Sequence, residues 1–106
     1  MKKIQYNKLM RDKIPKIIEQ SGKRAIFDTL DDSSYKKYLD EKLEEELQEY
    51  LSNDNTDELA DLMEVIYAIL KYKGISLEEF ENIRKKKAEE RGAFDKKLLL
   101  KEVIEE

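Results

Sequence analysis

Four carboxylate residues stand in mirror order around one short segment of the chain. Glu46 and Glu49 precede this segment, and Glu58 and Asp61 follow it at matching distances. If antiparallel helices flank the segment, all four side chains lie at matching heights. Carboxylate oxygens facing each other across two helices are ligands that suit Mg²⁺ or Mn²⁺. Such a site would bind and hydrolyse a phosphate-rich substrate.

Helical phase distinguishes these acids from ordinary surface charge. In a chain with 25 Asp and Glu residues, acidic pairs three residues apart also occur by chance on solvated helix faces. At about 100° per residue, Glu46 and Glu58 fall inside the apolar arcs of their helices, and Glu49 and Asp61 fall at the edges. Burying an ionised carboxylate among apolar side chains costs free energy unless the group is paired. We therefore expect these acids to bind a cation, to have raised pKa values, or to pair with a basic residue such as Lys42.

Capping residues and apolar spacing predict the elements that carry these side chains. Helices are predicted over about residues 12–21, 34–51, 55–73 and 76–91, with a turn at 53–55. Residues 23–30 are compatible with either a short extended piece or a loop, and the tail 95–106 with a short fifth helix packed on a neighbour. We therefore predict an all-α fold: one domain over residues 1–106, a helical bundle built on an antiparallel helix hairpin and completed by oligomerisation.

Composition restricts the chemistry that is available. The chain has no Cys and no His, which excludes disulfides, zinc thiolate sites, imidazole ligands and the usual general base. Its net charge of −4 argues against nucleic-acid binding. No run of about 20 apolar residues is present and the N-terminus lacks a signal-peptide core, so we expect no membrane association and a cytoplasmic location.

Two groups of basic residues are candidates for phosphate binding. The first contains Lys8, Arg11 and Lys13, and the second, near the end of the fourth predicted helix, contains Lys87 and Arg91. Arg and Lys neutralise polyphosphates beside metal ions, although solubilising surface charge is the alternative for each of them.

The acidic residues resemble the E-E-x-x-E … E-x-x-D signature of the MazG-like, all-α nucleotide pyrophosphohydrolases. Glu45, Glu46 and Glu49 match the first half of the signature, and Glu58 and Asp61 match the second. The chain also resembles a small branch labelled phosphoribosyl-ATP pyrophosphohydrolase-like. That likeness rests on three segments in the same order, YNKLMRDKIP, ELADLMEVIYA and KKKAEERGAF.

The resemblance implies a helical homodimer or homotetramer that uses Mg²⁺, and the all-oxygen ligands would also suit Mn²⁺. It implies cleavage of the α–β phosphoanhydride of a nucleoside triphosphate to a monophosphate and pyrophosphate. The residues that match the family's metal ligands are Glu46, Glu49, Glu58 and Asp61. Glu45 matches an acidic position that positions or activates water, and either Glu45 or Glu49 would accept the proton. Two alternatives remain open: phosphoribosyl-ATP hydrolysis in histidine biosynthesis, and a non-enzymatic helical interaction module.

Overall fold

The computed structural model describes residues 1–106 and contains four helices and no strand. The helices are α1 (Ile14–Gln20), α2 (Asp32–Asn53), α3 (Thr56–Lys73) and α4 (Leu77–Arg91). The prediction of an all-α fold is confirmed. None of the four helices combines the length and the apolarity that a membrane-spanning helix requires.

Side-chain caps set the starts of the three longer helices. In each case a side-chain oxygen accepts a hydrogen bond from a backbone N–H three residues later. The capping pairs are Asp31 with Ser34, Asn55 with Glu58, and Ser76 with Glu79. Because Asp31 provides the cap, α2 begins at Asp32, slightly before the predicted start. Helix α3 ends at Gly74, whose φ of 73° is in the left-handed region that glycine adopts without strain.

The chain divides into two compact units, Met1–Gly74 and Ile75–Glu106. In the first unit α2 packs on α3. The buried apolar side chains are Leu39, Val65 and Leu70. The prediction of a single domain over residues 1–106 stays a prediction.

Apolar side chains also remain exposed on the two helices that pack together. On α2 and α3 the exposed residues include Leu47, Leu51, Leu59, Met63 and Tyr67. Leu59, Met63 and Tyr67 follow each other at intervals of four residues and therefore lie along one side of α3. A core of three buried apolar residues is small for a domain of this length, and exposed apolar surface of this kind is typical of interaction sites.

The second unit consists of α4 and the chain that follows it. Arg84 donates hydrogen bonds to the carboxylate of Glu81, one turn earlier on α4. After a turn closed by the Lys97 N–H and the Phe94 carbonyl, residues 98–106 form no helix, so the prediction of a short fifth helix is wrong. A short helix is marginal in water without packing partners, and the leucines of this tail are exposed. Residues 23–30 form neither a helix nor a strand.

Candidate metal centre

Three carboxylates from two helices come together in the first unit. Glu46 is on α2, Glu58 and Asp61 are on α3, and one oxygen from each lies within 4.8 Å of the other two. Oxygens around one Mg²⁺ ion lie at most about 4.2 Å apart, which is twice the metal–oxygen distance of about 2.1 Å. Small side-chain rotations would bring the three oxygens to that spacing, and an all-oxygen donor set fits Mg²⁺ or Mn²⁺.

Glu46 is the most buried of these acids. Its exposed fraction is 7%, and its Oε2 atom is buried without a hydrogen-bond partner. Burial raises the pKa of Glu46; the charge of Glu49 raises it further, Lys42 acts in the opposite direction, and Asp61 again raises it. Glu58 also has a buried Oε2 atom with no partner. Two buried oxygens without partners in a group of three carboxylates are unfavourable without a cation, so the chemistry of the group fits a divalent ion.

Each of the three carboxylates is held by a protein partner through one oxygen. The three contacts are Lys42 Nζ to Glu46 Oε1 at 3.5 Å, Asn53 Nδ2 to Glu58 Oε1 at 3.0 Å, and Arg11 Nη2 to Asp61 Oδ1 at 2.8 Å. Pairing of the acids with Lys42 was one of the alternatives to a cation. That contact is present but long, and it leaves Oε2 of Glu46 unpartnered.

Glu45 is a separate, fully paired carboxylate on α2. Lys8 Nζ donates to its Oε1 atom at 2.7 Å, and Lys42 Nζ lies 3.5 Å from its Oε2 atom. Burial raises the pKa of Glu45, but the hydrogen bond from Lys8 and the charges of Lys42 and Lys8 outweigh burial, so the net pKa is lowered. The same hydrogen bond raises the pKa of Lys8.

The structure brings together some of the predicted site residues and not others. Glu49 is exposed and is not one of the three grouped carboxylates, although its charge acts on Glu46. Its role as a metal ligand stays a prediction. Arg11 contacts Asp61 of the group and Lys8 contacts the separate Glu45, whereas Lys13 is exposed at the start of α1.

The remaining two basic candidates lie in the second unit. Lys87 and Arg91 are exposed residues of α4, and their phosphate-binding role stays a prediction.

Comparison with known proteins assigns no family to the chain. No protein-family model matches it, and no solved structure matches it. A segment of 49 residues, which is 46% of this chain, is 43% identical to an uncharacterized protein of Mycolicibacterium smegmatis. The match spans 50% of that protein's length.

Asn53 is a residue of the site that the sequence does not predict. Asparagine is a common residue in turns between helices, so its presence there does not predict a contact with a carboxylate. In the structure Asn53 is the last residue of α2, and its amide reaches the first turn of α3.

Proposed function

We propose that this protein is a magnesium-dependent nucleotide pyrophosphohydrolase, which also accepts Mn²⁺. It would cleave the α–β phosphoanhydride of a nucleoside triphosphate to a monophosphate and pyrophosphate. The observation that carries the proposal is the buried Glu46, which has an unpartnered Oε2 atom and groups with Glu58 and Asp61. The resemblance of these acids to the MazG-like signature supplies the reaction type.

Glu46, Glu58 and Asp61 would hold the ion, and the resemblance offers Glu49 either as a fourth ligand or as the proton acceptor. A divalent ion bound there would neutralise phosphate charge and make a neighbouring water molecule a better nucleophile. Burial of Glu46 keeps bulk water away from one side of the group, which strengthens its electrostatic interaction with a cation.

Glu49 is the better of the two candidate proton acceptors. Glu45 is paired with Lys8 and has a lowered pKa, and a more acidic carboxyl group is a weaker base. Glu49 is exposed on the same helix, and its charge already acts on Glu46. In this scheme Glu45 instead holds Lys8 in place beside the site.

The basic residues would bind the phosphates of the substrate. Lys8 and Arg11 are the best supported. Arg11 contacts Asp61 of the group at 2.8 Å, and Lys8 contacts Glu45, the residue next to Glu46 in the chain, at 2.7 Å. Their charges would stabilise the negative charge that develops on departing pyrophosphate. Lys13, Lys87 and Arg91 remain further candidates for the same role.

We further propose that α2 and α3 form an antiparallel hairpin completed by a second copy of the chain. The two helices are joined by only Asp54 and Asn55, they pack on each other, and their carboxylates meet. The exposed apolar residues of α3 would supply the contact, giving a homodimer or a homotetramer.

The test is pyrophosphate release from a panel of canonical and modified nucleoside triphosphates and phosphoribosyl-ATP, with Mg²⁺, with Mn²⁺ and with a chelator. We expect metal-dependent release with the monophosphate as co-product. Asp61→Asn should abolish it, whereas Asp57→Asn, which makes the same change on an exposed residue of α3, should not. If pyrophosphate were released from phosphoribosyl-ATP and from no nucleoside triphosphate, the substrate would be phosphoribosyl-ATP and the proposed reaction type would stand. No release from any compound, together with no effect of metal on Tm, would favour the interaction module.

A further inference from the structure

Asn53 makes a contact that neither helix requires. Its Nδ2 atom donates to Glu58 Oε1 at 3.0 Å, from the last residue of α2 to the first turn of α3. The cap of α3 is provided by a different residue, Asn55, whose side chain accepts the Glu58 N–H at 3.1 Å. Glu58 is thus held twice: Asn55 holds its backbone and Asn53 holds its side chain.

The side-chain contact determines which oxygen of Glu58 is available. The amide of Asn53 occupies Oε1, while Oε2 is buried without a partner. Glu58 contributes an oxygen to the group that also contains Glu46 and Asp61. A hydrogen bond to one carboxylate oxygen restricts rotation of the carboxyl group and keeps the second oxygen directed at one place.

We propose that Asn53 is a positioning residue that orients Glu58 for a divalent cation. The inference rests on the proposed metal site and on the nine-tenths burial of Glu46, a member of the same group whose Oε2 atom has no hydrogen-bond partner. An amide suits this role because it donates to the carboxylate without adding a charge of its own. A lysine at this position would instead compete with the cation for Glu58.

The experiment compares two single substitutions made two residues apart in the full chain. Asn53→Ala removes the side-chain contact, and Asn55→Ala removes the helix cap. Mn²⁺ affinity is measured by calorimetry and by electron paramagnetic resonance of the free ion, and Tm is measured without metal. Neither readout requires a nucleotide or turnover.

We expect the two variants to separate the two properties. Asn53→Ala should weaken Mn²⁺ binding about tenfold, the lower end of the effect of lost outer-sphere contacts, since Asn53 is exposed. Its Tm should be nearly unchanged, because the higher helix propensity of alanine offsets the loss of one exposed hydrogen bond. Asn55→Ala should lower the Tm by several degrees and leave Mn²⁺ affinity near the wild-type value.

Three results would overturn the inference. If Asn53→Ala binds Mn²⁺ as tightly as the wild type, Asn53 does not position a ligand, and the proposed enzyme activity is unaffected. If both variants lose affinity in proportion to their loss of Tm, the contact is only structural. If the wild-type protein binds no Mn²⁺, the metal site and the role of Asn53 are both wrong.

Discussion

The Arg11 guanidinium donates a hydrogen bond to the Asp61 carboxylate at 2.8 Å, across 50 positions of the sequence. A predicted phosphate ligand therefore contacts a predicted metal ligand. If Asp61 held a divalent ion, the ion would compete with Arg11 for the same carboxylate. A displaced Arg11 guanidinium would be free to contact an anion, and binding of the metal would then be coupled to binding of the phosphate.

Arg11→Gln should therefore change the affinities for metal and for anion in opposite directions. Both partners are substantially exposed, at 56% and 42%, and such an ion pair contributes about 0.2–1 kcal/mol. Its removal should tighten Mn²⁺ binding by up to about fivefold and weaken pyrophosphate binding to the metal-loaded protein. Calorimetry measures both, and Lys3→Gln is the control with the same charge change at an exposed position. Equal effects in the two variants would mean that only net charge matters.

Glu46→Gln should stabilise the metal-free protein at pH 7. The pKa of Glu46 is raised, so its ionised form disfavours folding at neutral pH, and folding stability rises as the pH falls through the raised pKa. An amide of the same size removes this cost. Thermal unfolding should show a Tm increase of a few degrees, where about 1 kcal/mol corresponds to about 4–8 °C.

We expect Mg²⁺ to raise the Tm of the wild-type protein, and Glu46→Gln should lose this increase. Glu44→Gln, on an exposed position of α2, is the matched control and should keep it. A lower Tm for Glu46→Gln at pH 7 would contradict the prediction.

Lys8→Met should destabilise the protein in a pH-dependent way. The pKa of Glu45 is held below its ordinary value of 4.5, so its ionised form contributes stability above that pH. That contribution disappears as the pH falls through the lowered pKa, because protonated Glu45 no longer attracts Lys8. The Tm difference from wild type should be a few degrees at pH 7 and should vanish in acid. Lys2→Met, at an exposed position, should show no such pH dependence.

Glu49→Gln and Glu45→Gln should differ in turnover if Glu49 accepts the proton. Loss of a general base costs about 10²–10⁴ in rate, and we expect kcat to fall by this factor for Glu49→Gln. For Glu45→Gln the main loss should be in KM, through release of Lys8 from its 2.7 Å contact. Steady-state kinetics at saturating Mg²⁺ separate the two effects. The reverse pattern would identify Glu45 as the base.

Met63→Lys should dissociate the proposed oligomer. Met63 lies on the exposed apolar side of α3, between Leu59 and Tyr67, and a charge there is costly to bury in an interface. Sedimentation velocity should show the wild type as a dimer or larger and the variant as a monomer. Glu64→Gln makes the same charge change at a neighbouring exposed position and should leave the assembly intact. A monomeric wild type would end the oligomer proposal.

Local sequence signals located the helices well because helix ends depend on neighbouring residues. The helices predicted over residues 55–73 and 76–91 agree with the structure, in which Asn55 and Ser76 are the N-caps of α3 and α4. The prediction of a helix in the tail was wrong because a short helix also depends on packing. The leucines of the tail have helical propensity, but no packing partner holds residues 98–106 in a helix.

The sequence by itself determined which acids lie on the apolar sides of α2 and α3, because helical phase follows directly from residue spacing. Glu46 is accordingly buried, and Glu58 is half-buried. Only the tertiary structure decided how these acids are partnered. The contacts from Arg11 and Asn53 join different parts of the chain and depend on how the segments pack, which residue spacing within one helix does not specify.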